Sequence, residues 1–123
     1  MHLRRIICIV ICFIVVILAG TGCAYLKKDV VQVPCVIADS LTYTINIAPI
    51  IQNNCYDCHS AASNISGILL DNYNGLKFYA QNGYLYGNIS HASGYRAMPE
   101  GRNKLNDCTI ATIKKWIDNG TLQ

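Results

Sequence analysis

Cys55, Tyr56, Asp57, Cys58 and His59 form the run C-x-x-C-H, whose residue types and spacing suit covalent attachment of haem. Two cysteines three positions apart on a tight helical turn face the same way. Both thiols can then reach the vinyl groups along one edge of a porphyrin and hold it by two thioether bonds. His59, directly after the second cysteine, is carried beneath the ring plane. There one ring nitrogen can ligate iron while the other donates to a neighbouring acceptor. Cys55 and Cys58 are therefore the expected haem thioethers and His59 the expected proximal ligand.

The opposite face of the iron needs a second donor. Met98, followed by Pro99, lies in a stretch without periodicity, and it is the only methionine left once Met1 is removed with the leader. A lone methionine is usually core filler. A loop position beside a proline, which stiffens the chain and removes an N–H that would need a partner, favours ligation instead. Met98 is the expected distal ligand. His91 competes, because imidazole binds haem iron as readily; otherwise it is a surface histidine contributing a hydrogen bond. Tyr84, Tyr86, Tyr95 and Arg96 flank the same region and are candidates to satisfy propionate oxygens.

Helical elements must carry these groups. Ile45, Ile47, Ile50 and Ile51 supply an apolar face leading into the haem motif, with Thr44 or Asn46 as cap and Pro49 in the first turn. A polar loop, Ser60 to Ser66, precedes the apolar run Ile68, Leu69, Leu70, which would lean on the haem edge. Asp71 reads as the cap of a helix bearing Tyr73, Leu76, Phe78, Tyr79 and Ala80, stopped by Asn82 and Gly83. Tyr84 to Ile89 adds a further turn, and Ser90 to Asn103 is a loop. The last helix has Asn106 or Asp107 as cap, Ile110, Ile113, Trp116 and Ile117 on one face, and Gly120 beyond its end.

The chain of 123 residues has room for one small domain after an export signal is set aside. Arg4 and Arg5 precede an unbroken apolar stretch, Ile6 to Leu18, shorter than the about 20 residues a transmembrane helix needs. Ala19 to Gly22 then supply small residues directly before Cys23. That ending resembles a bacterial lipobox, with Gly20 in place of the usual aliphatic residue. Residues 1–22 are thus the expected signal peptide, with Cys23 the lipid-bearing first residue of an exported, membrane-anchored protein of the periplasm or cell envelope. An ordinary secretory signal or an uncleaved anchor is the alternative. Residues 23–40 read as a tether and 41–123 as the folded domain.

Only Arg4 and Arg5 of the ten basic residues leave with the signal, and all seven acids remain, so the mature chain is near neutral. It has no basic stripe for nucleic acid. Of seven cysteines, two leave with the signal, one would carry lipid and two would hold haem, which leaves Cys35 and Cys108. In an oxidising compartment an even remainder reads as one disulfide, worth roughly 4 kcal/mol in the chain-entropy model. Two unpaired thiols are the alternative.

With Cys55, Cys58, His59, Met98 and a Trp116-bearing final helix in that order, the chain resembles small monohaem cytochromes c of the class I type. The segments Ile47 to His59, Ala97 to Glu100 and Leu105 to Gly120 are similar to the cytochrome domains of planctomycete and Bacteroidetes lipoproteins. The resemblance implies an all-α, cytochrome c-like fold of three to four helices around one covalently bound haem c, with the first and last helices crossing beside it. An iron with both axial positions filled by His and Met passes electrons without an open site for substrate. The expectation is an electron carrier, not an enzyme, serving a redox protein donor and acceptor. A haem-based gas or redox sensor with a labile sixth ligand is the alternative. A dithiol oxidoreductase using Cys55 and Cys58 would need a βαβ setting, and a zinc site from Cys55, Cys58, His59 and His91 would have poor tetrahedral geometry.

Overall fold

In the computed structural model, which describes residues 4–6, 34–63 and 65–123, the compact unit Pro34–Gln123 holds four α-helices and, among the described residues, no strand. The domain is all-α. The helices are α1 (Ala48–His59), entered through a π-helical turn at Tyr43–Ile47, then α2 (Tyr73–Gln81), α3 (Tyr84–Ser90) and α4 (Asp107–Asp118). Of the preceding unit only residues 4–6 are described, and they are helical and exposed. The rest of the expected signal peptide, Cys23 and most of the expected tether lie outside the described residues.

The first helical element starts earlier than its apolar spacing predicts. Thr42, not Thr44 or Asn46, is the cap: its hydroxyl accepts the Ile45 N–H at 3.4 Å, while Asn46 Oδ1 accepts the Thr42 N–H at 2.9 Å. The wide turn that follows runs into α1, where Pro49 occupies the first turn and costs no hydrogen bond. Ile47 and Ile51, one turn apart, are fully buried, with Ile50 packed at the edge of the core. Ile45, expected on the same face, is 76 % exposed. Two residues of helix carry a side chain about 200° around the axis, so Ile45 and Ile47 cannot share a face.

The cap of α2 is Asn72, whose side chain accepts the Gly75 N–H at 2.9 Å, and not Asp71. The Asp71 carboxylate is taken by the Ala61 N–H at 2.6 Å, which fastens the loop leaving the haem motif. A left-handed Gly83 (φ 79°) turns the chain from α2 straight into α3, so the single turn expected at Tyr84 to Ile89 is a seven-residue helix. Asn106 caps α4 through the Thr109 N–H at 2.8 Å.

Leu76 and Ala80 of α2, Leu85 and Ile89 of α3, and Ile110, Ile113 and Trp116 of α4 join Leu41, Ile47, Ile51 and Leu70 in one core. α4 meets the first helical element at its π-helical turn and packs on α3, which packs on α2. The C-terminal tail closes the assembly. Leu122 O accepts both the Trp116 indole N–H at 2.8 Å and the Tyr43 N–H at 2.9 Å, and Tyr73 Oη donates to Thr121 O at 2.8 Å.

Cys35 and Cys108 form the expected disulfide, with Cα atoms 5.5 Å apart. It ties residues 34–40 to the start of α4. Ile37 packs on the core and Asp39 accepts a bond from Lys115 Nζ at 3.3 Å, so the compact unit begins before Leu41, its first buried core residue.

Candidate functional site

The C-terminal half of α1, α3 and the long loop before α4 enclose a cleft of about 640 Å³. Cys55, Cys58 and His59 line it from α1, and Met98 and Pro99 from the loop. Ile68, Leu70, Leu85, Ile89 and Leu105 supply its apolar surface. The size falls in the range of small-molecule and cofactor sites.

Helical geometry accounts for the α1 residues. Cys55 and Cys58 are three apart on one helix face, and both are free thiols. Cys58 is exposed and Cys55 half-buried, and burial pushes the Cys55 thiol up to about 11. His59 ends the helix. Its Nδ1 lies 2.8 Å from Ser66 Oγ and 3.2 Å from Ile68 O. A carbonyl can only accept, so the contact with Ile68 requires a proton on Nδ1 and leaves the lone pair on Nε2. Nε2 has no hydrogen-bond partner among the described residues, as an iron ligand requires. Ser66 Oγ in turn donates to Cys58 O at 3.1 Å.

Met98 has no regular secondary structure to hold it. Its N–H donates to Asn88 O at 3.0 Å, at the end of α3. Three residues earlier, Tyr95 lies flat on Gly87: a Cβ there would sit 2.4 Å from the Tyr95 ring. Tyr84 meets the Tyr95 ring edge-on at 6.1 Å. The bare Gly87 and the Met98–Asn88 bond thus both help to lay the loop along α3.

His91, the competing ligand, is exposed and not among the cleft residues; its Nε2 donates to Met98 O at 3.0 Å. That is the hydrogen-bonding role the sequence left open for it. Tyr84 and Arg96 line the cleft as expected of groups flanking it. Tyr86 does not, and instead lies under the Lys114 ammonium at 5.5 Å on the far side of α3.

Ser66, Ile68 O, Gly87 and Asn88 were not singled out by sequence reasoning. Only Ser66 left a signal, as a hydroxyl in the polar loop after the motif. Arg102 is the other omission: it reaches from the loop to Asp57, inside the haem motif, at 2.8 Å. Arg96 pairs with Glu100 on the same rim.

The residues present fit a covalently bound haem. The cleft is large and mostly apolar, two free thiols and an uncommitted imidazole nitrogen line it, and a thioether lines it as well. Among the described residues no three His, Cys, Asp or Glu side chains converge as a metal site, so the nominal zinc set of Cys55, Cys58, His59 and His91 is not assembled. Comparison with known proteins returns no match: no family model, curated protein or solved structure aligns with the chain.

Proposed function

We propose that the chain is an exported c-type cytochrome, a one-electron carrier anchored by lipid at Cys23. Cys55 and Cys58 would hold the haem through thioethers, and His59 and Met98 would hold its iron. The observation that carries the reading is that one apolar cleft is lined by both cysteines and the histidine of C-x-x-C-H and by Met98, the sole methionine of the mature chain.

A haem held there would supply one-electron exchange between ferric and ferrous iron. The chain's own residues do the rest. His59 keeps its Nδ1 proton through Ser66 and Ile68 O and so offers Nε2 in a fixed orientation. Ile68, Leu70, Leu85 and Ile89 line the cleft and would exclude water from a ring held there. Met98 would hold the iron from the loop side and leave no open position for a substrate, which favours a carrier over a catalyst. The partners are then a redox protein donor and acceptor, and the membrane through the lipid. Burying a porphyrin also adds core to a domain whose own apolar interior is small.

Denaturing electrophoresis with haem-peroxidase staining after acid acetone extraction tests the assignment. A stained band is expected for the exported protein and none for the Cys55→Ser, Cys58→Ser double variant. Extractable haem, or none, would refute it. Carbon monoxide decides between carrier and gas sensor: binding by reduced wild-type protein as fast as by Met98→Ala points to a labile sixth ligand.

A further inference from the structure

Met98 is fixed at both ends of its own residue by the C-terminus of α3. Its N–H donates to Asn88 O at 3.0 Å, and its carbonyl accepts from His91 Nε2, also at 3.0 Å. His91 reaches that carbonyl because it ends α3 in the left-handed conformation (φ 58°, ψ 39°), which turns its side chain out of the helix. A non-glycine residue there is uncommon and is worth an explanation. Its N–H is spent capping the helix on Gly87 O and Asn88 O, so the backbone alone explains a glycine or an asparagine, not an imidazole. Among the described residues the side chain's one hydrogen bond is to the Met98 carbonyl.

We propose that His91 is a positioning residue for Met98: its Nε2–H latches the loop so that the thioether is held toward the cleft. The proposal rests on the reading of Met98 as an iron ligand and adds the device that sets how firmly that ligand is held. His91 to Asn103 has no helix of its own, and Arg96, Ala97 and Glu100 beside Met98 are exposed. Among the described residues, two hydrogen bonds hold the Met98 backbone itself, so losing one of them should open the loop measurably.

The haem-loaded full chain tests this with Met98→Ala as reference. His91→Gly removes the donor and suits the left-handed backbone; His91→Asn also suits that backbone but is too short to reach; His91→Gln restores a donor at nearly the original reach. In His91→Gly and His91→Asn, reduced protein should bind carbon monoxide about three- to tenfold faster than wild type, as expected from a loop opened by loss of one ordinary hydrogen bond. The charge-transfer band of the oxidised iron–thioether bond should weaken and the potential should fall. His91→Gln should recover all three. Unchanged carbon monoxide binding, band and potential in His91→Gly and His91→Asn would overturn the proposal.

A silent Met98→Ala together with a spectral change in the His91 variants would make His91 itself the ligand and would also overturn it. Absence of covalent haem in the wild type would sink the functional reading before any His91 variant is made. The contact has its own readout that needs no haem: long-range ¹⁵N–¹H spectra should assign His91 to the Nε2–H tautomer. An Nδ1–H tautomer would overturn the latch.

Discussion

The two sources of the proposed haem-binding groups are built on different principles. Cys55, Cys58 and His59 stand on one regular helix, and their mutual placement follows from spacing within five residues. Met98 stands on a loop, and its placement depends on Gly87, Asn88 and His91, seven to eleven residues earlier on α3. A helix-borne ligand set resists change because its geometry is held by many backbone hydrogen bonds. A loop-borne ligand is adjustable, because a few contacts decide where it sits.

Removing a ligand from each region should break the comparison most sharply. His59→Ala is expected to lower the yield of haem-loaded protein by more than about tenfold, since the ligand and its Ser66 and Ile68 support are lost together. Met98→Ala should assemble in nearly full amount, keep both thioethers and bind carbon monoxide at the opened position. Haem staining and difference spectra read both outcomes; equal loss of assembly in the two variants would erase the distinction.

Gly87→Ala probes the loop-borne side without touching a ligand. The new methyl would enter the Tyr95 ring, and α3 is backbone that cannot move aside cheaply. Overpacking of this kind costs about 2 kcal/mol, roughly 10 °C in a domain of this size. The iron–thioether band should weaken while covalent haem stays. A thermal melt and an oxidised spectrum together check it.

A pH titration sharpens the helix-borne side. The Cys55 thiol is raised by burial to about 11, so the fold favours its neutral form. In haem-free protein the resulting stability is fully present below the ordinary thiol value of 9.0 and is lost as pH climbs through about 11, a change on the order of 2 kcal/mol. A thioether does not titrate. Urea midpoints from pH 8 to 11 should therefore fall more steeply for haem-free than for haem-loaded protein. Iodoacetamide at pH 8 should label exposed Cys58 about tenfold faster than Cys55.

The smallest effect is expected where the two regions touch. Arg102 of the loop and Asp57 of the motif are both exposed, and such pairs contribute little. Asp57→Asn should move Tm by no more than about 2 °C, and the difference should vanish at high salt.

Legibility follows the same division. C-x-x-C-H is readable from sequence because five consecutive residues and helical geometry contain the whole arrangement. The all-α architecture and the Cys35–Cys108 bridge were readable too, from periodicity and from the cysteine remainder. Asn106 caps α4 as its sequence predicts, whereas the other two caps lie one to four residues from the expected positions. Asp71 and Asn72 are both good caps, and the choice fell to Asn72 because the Ala61 N–H, ten residues back, claims Asp71. Thr42 was missed because a π-helical turn has no apolar period of its own. The latch on Met98 was beyond sequence: nothing in the spelling of Gly87, Asn88 and His91 says that a loop will lie against them. Tyr86 and Tyr84, two apart on α3, necessarily face different ways, and only the fold says which one sees the cleft.

The Cys35–Cys108 bridge spans 73 positions and encloses both thiols of the haem motif, which makes the order of maturation a matter of chemistry. If the chain is exported as proposed, its four cysteines outside the leader and the lipid site can pair in three ways. Two of those ways strand one haem thiol on each end of the domain. The third closes the native bridge but joins Cys55 to Cys58. A useful product requires oxidation to stop halfway, after one bond. Burial favours that stop at one of the two thiols: Cys55, half-buried and held neutral, is a poor partner for disulfide exchange.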